Sequence, residues 1–302
     1  MHTLGGKSDK PVHVPAITSA GGNGDNSGNG IQREWAATTI KLAVPALLST
    51  LSDPFLSMVD TSFCGRMGTP ALAALAAATS IFSLAFHTFK ATTATMSSLI
   101  SAEPPDNHAN LTVSSIRVGV FAGIFLTALL LHFRTPLLSL LSVTATSSPE
   151  VYKLAISYLS IRALAAPAVL ILTITEGIHR GLLDTGAPLR ASLAAASINL
   201  VLDPVLIFTL NLGVAGAAAA TVAAQYSAAF YLLLSLKRRG LLAKPSAIGV
   251  SSSSATTSSL SFLKSNITML VSRLSMLAAW SFSTRRAMQV RRASERRVSV
   301  SR

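Results

Sequence analysis

A chain of 302 residues that is 50% hydrophobic and only 12% charged has the composition of a protein solvated by lipid rather than that of a soluble core. Its formal net charge of +13 gathers after the last apolar segment of the main block and in residues 285–302, with no basic patch interleaved with aromatics, which argues against a nucleic-acid partner. The sequence holds no phosphate-binding glycine loop with its lysine, no metal-type His/Cys cluster and no nucleophile elbow, so neither an enzyme nor an ATP-driven pump is expected.

Residues 1–34 are polar and rich in glycine, asparagine and serine, without the apolar stretch of a secretory signal, and read as a disordered cytoplasmic lead. Asp9, Asp25 and the scarcity of arginine argue against a transit peptide. Six apolar segments follow, at 36–62, 70–97, 111–133, 151–178, 189–210 and 214–236. Each is long enough to cross roughly 30 Å of hydrocarbon. The expectation is an all-α, polytopic transmembrane helix bundle, with a six-helix lobe over 35–239. A serine- and threonine-rich linker (240–262), a partial or interfacial seventh helix (263–284) and a basic tail (285–302) complete the chain.

Cytoplasmic loops keep an excess of lysine and arginine. Lys7, Lys10, Arg33, Lys41, Arg180, Arg190, Lys237, Arg238, Arg239 and Lys244 all fall on one side if the amino terminus is cytoplasmic, whereas the other side holds Arg66, Arg134 and Lys153. The lone cysteine, Cys64, excludes an internal disulfide.

Gly119 and Gly123 in the third segment, and Gly213 and Gly216 opening the sixth, have the spacing that lets helix backbones approach closely in lipid. Leu51-Ser52-Asp53-Pro54 echoes Leu202-Asp203-Pro204, a weak internal repeat of the kind seen in transporters with discontinuous helices.

The most informative positions are Asn199 and Asp203, a carboxamide and a carboxylate one turn apart inside an apolar run that ends on Pro204. An ionised carboxylate at mid-bilayer costs roughly 2.5–3.5 kcal/mol on insertion scales, so such a residue is by default a candidate for an ion or proton pathway. With the amino terminus inside, Asp203 lies roughly 12 Å below the outer end of its helix. Asp60, Thr221 and Tyr158, on three other helices, come to similar heights. Together they supply the hard oxygen donors that sodium or a proton relay requires. The plain alternatives are that Asp60 caps a helix end, Thr221 bonds its own backbone and Tyr158 sits in an interfacial belt. Arg162, near the middle of the fourth segment, must pair with a carboxylate or carbonyls and reads as a structural member of the polar network. Glu176, deeper toward the cytoplasmic end, is a second-tier member, and His87 and Lys90 read as interfacial.

Val59-Asp60-Thr61-Ser62-Phe63 with Gly65-Arg66-Met67-Gly68, Arg162-Ala163-Leu164 to Pro167, Arg180-Gly181 with Asp184-Thr185, and Asn199 to Asp203-Pro204 occur in order along the chain. Together they resemble the multidrug and toxic compound extrusion family, MATE, and within it the DinF-like branch with its plant DETOXIFICATION-type members. The resemblance runs from about residue 35 to 239, with a thinner trace over 261–287. It implies twelve transmembrane helices in two six-helix lobes that exchange sodium or protons for small organic substrates, with no cofactor besides the coupling ion. It also implies that Asp60, Asn199, Asp203 and Thr221 form the amino-terminal lobe's cation site, with possible sodium there, and that Tyr158 belongs to the adjoining network.

Two departures shape the expectation. The chain ends where a second lobe would begin, and the arginines of its tail would lie outside if the seventh segment crossed, so a truncated product is expected. Such a lobe would work as a homodimer or paired with a full-length relative. The stretch Ala102-Glu103-Pro104-Pro105-Asp106 also distorts the connection between the second and third segments. The leading reading is a cation-coupled antiporter exporting organic or xenobiotic compounds. A non-transporting interaction partner and a flippase for an amphipathic metabolite are the rival readings. Plasma membrane, vacuole and plastid envelope are all compatible with the sequence.

Overall fold

In a computed structural model, residues 26–141 and 143–242 are described. The seventh segment, the basic tail, most of the linker and the lead up to residue 25 lie outside the described residues, as does the side chain of His87. All regular elements among the described residues are helical: α1 (Asn26–Gly65), α2 (Thr69–Ala102), α3 (His108–Leu140), α4 (Pro149–Ala163), α5 (Ala166–Gly181), α6 (Gly186–Pro204) and α7 (Gly213–Arg238). Residues 26–34, read from sequence as the end of a disordered lead, are the first turns of α1.

Five of these helices are long and apolar enough to cross a membrane, and a sixth span results if α4 and α5 count as one bent span. The six expected segments thus map onto the fold, with one difference. The segment 151–178 is broken, and α4 and α5 meet at 48°. Pro167 has no N–H to offer the carbonyl of Ala163 one turn earlier, so the α-helical ladder fails there. The Thr127 hydroxyl of α3 lies 3.0 Å from both Ala163 O and Gly123 O and serves one of them at a time, and the Tyr226 hydroxyl of α7 donates to Leu164 O at 2.9 Å. Pro204 marks a second irregularity: α6 passes there into a π-helical turn, Val205–Thr209. Between α2 and α3 the Ala102–Asp106 stretch forms an extended exit and a short 3-10 turn, Pro105–Asn107. There Asn107 donates through Nδ2 to Glu103 Oε1, and the His108 ring lies 2.9 Å from the Glu103 carbonyl.

Packing relies on small side chains. Ala187, Ala191 and Ala195 of α6 and Ala224 and Ala228 of α7 are buried in one cluster, so the two backbones approach closely along that seam. By contrast, α1 leans mostly on α6. Its buried residues among those described are Ser49, Asp60 and Cys64, which share one face because eleven residues make about three turns and four make about one. Ile40, Leu47, Leu51, Phe55 and Met58 of α1 remain exposed, as befits a lipid-facing helix. Ser49 and Ser192 join α1 to α6 through their hydroxyls at 3.1 Å.

Glycine is needed for space at several close approaches, most tightly at Gly123 and Gly177. A Cβ at Gly123 would lie 2.4 Å from Pro167 Cα, and one at Gly177 would lie 2.5 Å from Thr93 O. Because backbone has to give way in both cases, Gly123→Ala and Gly177→Ala are each expected to lower stability by about 1–3 kcal/mol. Gly65→Ala, which meets nothing within 4 Å, should leave it nearly unchanged. Thermal unfolding of the three variants in detergent, followed by circular dichroism, checks the contrast.

Candidate cation site

Three helices deliver the site. α1 presents Asp60 from its single buried face, α6 presents Asn199 and Asp203 one turn apart, and α7 presents Thr221. Asn199 and Asp203 are fully buried, and Asp60 is 8% exposed. The Asn199 amide nitrogen donates to Asp60 Oδ1 at 2.7 Å and to Asp203 Oδ2 at 3.2 Å, so one side chain uses both of its N–H groups to bridge carboxylates from two helices. Thr221 Oγ lies 3.4 Å from Asp60 Oδ2 and 2.9 Å from the carbonyl of Ala217. A hydroxyl has one proton, so Thr221 serves one acceptor at a time. The backbone alternative raised by the sequence therefore coexists with the carboxylate contact.

Two further oxygens, Asn199 Oδ1 and Asp203 Oδ1, are buried and have no hydrogen-bond partner. Buried acceptors are normally satisfied, and an unsatisfied one costs about 1–3 kcal/mol. The cluster is rich in acceptors and poor in donors. Its acceptors are hard oxygens, the kind that sodium prefers and that a proton can bridge. An arrangement of this kind suits a small hard cation or a shared proton.

Tyr158 and Arg162 stand one turn apart on α4 and adjoin the site. Tyr158 is buried at 3% exposure, which removes it from an interfacial belt, and its phenol hydrogen-bonds with Arg162. The Arg162 guanidinium donates to Gln225 Oε1 at 2.6 Å and lies over the Phe82 ring, 5.2 Å from its centroid. Glu176 stands apart. Its helix, α5, packs Gly177 against Thr93, whereas Arg162 meets Phe82 on the same helix α2. Those eleven residues of α2 correspond to about 16 Å of height. The Glu176 carboxylate lies 3.9 Å from Arg180. Lys90 is exposed.

Two neighbours escaped the sequence reading. Cys64 is buried one turn beyond Asp60 on the same face of α1, and Gln225 lies one turn beyond Thr221 and holds Arg162. Both follow the i, i+4 rule from residues already singled out, which was the signal available.

Residues 45–205 match the MatE family model. The chain is 34% identical over 218 residues to Protein DETOXIFICATION 44, chloroplastic, of Arabidopsis thaliana, covering 68% of this chain and 42% of that protein. It is 32% identical over 202 residues to DNA damage-inducible protein F of Escherichia coli (strain K12), covering 65% of this chain and 43% of that protein. The chain spans less than half the length of these two relatives. In fold it is similar to the crystal structure of MATE in the bent conformation, with a TM-score of 0.68 at 22% identity, over 81% of this chain and 55% of that one. Asp60, Asn199 and Asp203 lie inside the matched segment, and Thr221 lies beyond it.

The bridging amide gives a direct test. Asn199→Ala would remove the donor shared by the two carboxylates, and is expected to destabilise the chain by about 1–3 kcal/mol. Ser197→Ala, two residues away on the exposed face, should be neutral. Unfolding midpoints of the two variants in detergent measure the difference.

Proposed function

The chain belongs to the MatE family of membrane transporters, and from that premise we propose that this multi-pass integral membrane protein is the cation-binding lobe of a secondary active exporter of small organic compounds. Asp60, Asn199, Asp203 and Thr221 take up the coupling ion, sodium or a proton, and Tyr158 and Arg162 border the site. Substrate is enclosed between this lobe and a second one of similar size, which a second copy of the chain supplies. The amino terminus faces the cytoplasm, in keeping with the distribution of lysine and arginine.

The observation that carries this reading is the pair of buried, unpartnered acceptors, Asn199 Oδ1 and Asp203 Oδ1, beside a carboxylate from another helix. Desolvated carboxylates at such close quarters call for a compensating positive charge. A cation supplies it directly and a proton does so by neutralising one carboxyl. Either event changes the bonds through which Asp60 holds α1 to α6, and α1 has few other buried attachments. Ion binding thereby biases the equilibrium between arrangements of α1 that expose the site to opposite sides, which is what coupling to substrate export requires.

The whole 302-residue chain, reconstituted into liposomes and loaded with a fluorescent organic cation, provides the test. An imposed sodium or proton gradient should drive dye movement, and Asp60→Asn or Asp203→Asn should each slow it by about 5–150-fold, the range of a typical coupling energy. Ser197→Ala should behave as wild type. Transport indifferent to both gradients, or unimpaired in both carboxamide variants, would overturn the proposal.

A further inference from the structure

Arg162 carries a charge that the scheme above does not use. A guanidinium does not lose its proton in a protein, so this helix bundle holds a permanent positive charge at the α4–α5 bend. Its direct contacts are neutral: the Gln225 carboxamide oxygen at 2.6 Å, the Phe82 ring, and the Tyr158 phenol. Among the described residues, the ion pairs Glu176 with Arg180 and Asp184 with Arg239 lie toward the opposite ends of α5 and α7. Of the site's two carboxylates, Asp60 is the one that α7 ties to the Arg162 contact, through Thr221 on the turn before Gln225. The register is also fixed, because Gln225, which holds the guanidinium, and Thr221, which touches Asp60, stand one turn apart on α7.

We infer that Arg162 is the resident counter-charge of the Asp60–Asp203 cluster and sets its capacity at one monovalent cation. This rests on the cation-site reading above. Two carboxylates and one guanidinium leave one net negative charge, which a single proton or sodium ion cancels. A second cation would make a buried cluster positive, which a low-dielectric surrounding strongly disfavours. Arg162 is thus a specificity-determining residue that acts through its charge. Its hydrogen bond to Gln225 and its stacking on Phe82 keep that charge where it counts.

Counting cations bound to the purified full chain in detergent tests this. Sodium is counted by equilibrium dialysis with a radioactive tracer. Protons are counted by uptake from weakly buffered solution, as the difference from an Asp60→Asn/Asp203→Asn double variant. Wild type is expected to bind one cation per chain. Arg162→Gln should bind two, with the first held roughly tenfold more tightly or better. Arg162→Lys and Gln225→Ala, which keep the charge but loosen the fastening of α4 to α7, should still bind one. A merely structural role would make all three variants alike. Two cations per wild-type chain, or one in a folded Arg162→Gln variant at unchanged affinity, would overturn the inference while leaving the cation site standing. If Arg162→Gln does not fold, the wild-type count still decides. Absence of any cation binding by wild type would remove the site and this inference together.

Discussion

A single carboxamide organises this molecule. Asn199 spends both of its N–H groups on carboxylates from different helices, and the rest of the polar interior can be understood from what that leaves over. With its donors committed, its own oxygen faces inward without a partner, beside an equally unpartnered oxygen of Asp203. In hydrocarbon, water is not at hand to make up the shortfall. A bundle that tolerates this imbalance is suited to take up one more positive charge, which is the ground of the proposed cation site.

The scaffold makes the imbalance consequential. α6 and α7 are joined by a seam of alanines, so Asn199, Asp203 and Thr221 are presented from a closely packed pair. Asp60 comes from α1, whose buried residues among those described number three. The site therefore bridges a well-anchored pair and a lightly attached helix. Interactions formed or lost at such a seam shift the lightly attached partner more than the anchored one.

Much of this was legible in the sequence, and what was missed has physical causes. Apolar length located the membrane-crossing segments because backbone groups in lipid must be satisfied within the segment, which leaves hydropathy little ambiguity. Asp203 and Asn199 stood out because polar groups in such a run are costly. Helix rise brought Asp60 and Thr221 to the same height, and the structure brings the four side chains into contact. Helix rise also puts Glu176 deeper toward the cytoplasmic end than Arg162, and the contacts with α2, of Gly177 at Thr93 and of Arg162 at Phe82, agree with that separation. The break at Ala163–Ala166 was hidden because Pro167 can kink a span or be absorbed by one. Which outcome occurs depends on whether other helices supply donors, and those lie far away in sequence at Thr127 and Tyr226.

Those two donors have a consequence for the surrounding lipid. A bend of 48° in a spanning segment bares carbonyls at a depth where acyl chains cannot solvate them. The hydroxyls of Thr127 and Tyr226 lie within hydrogen-bond distance of the carbonyls of Ala163 and Leu164. Stripped of them, the two carbonyls would lose these partners, at about 1–3 kcal/mol for each one left unpaired. The crease in this helix is thus sealed by its neighbours, which lets the protein keep an irregular backbone without puncturing the membrane around it.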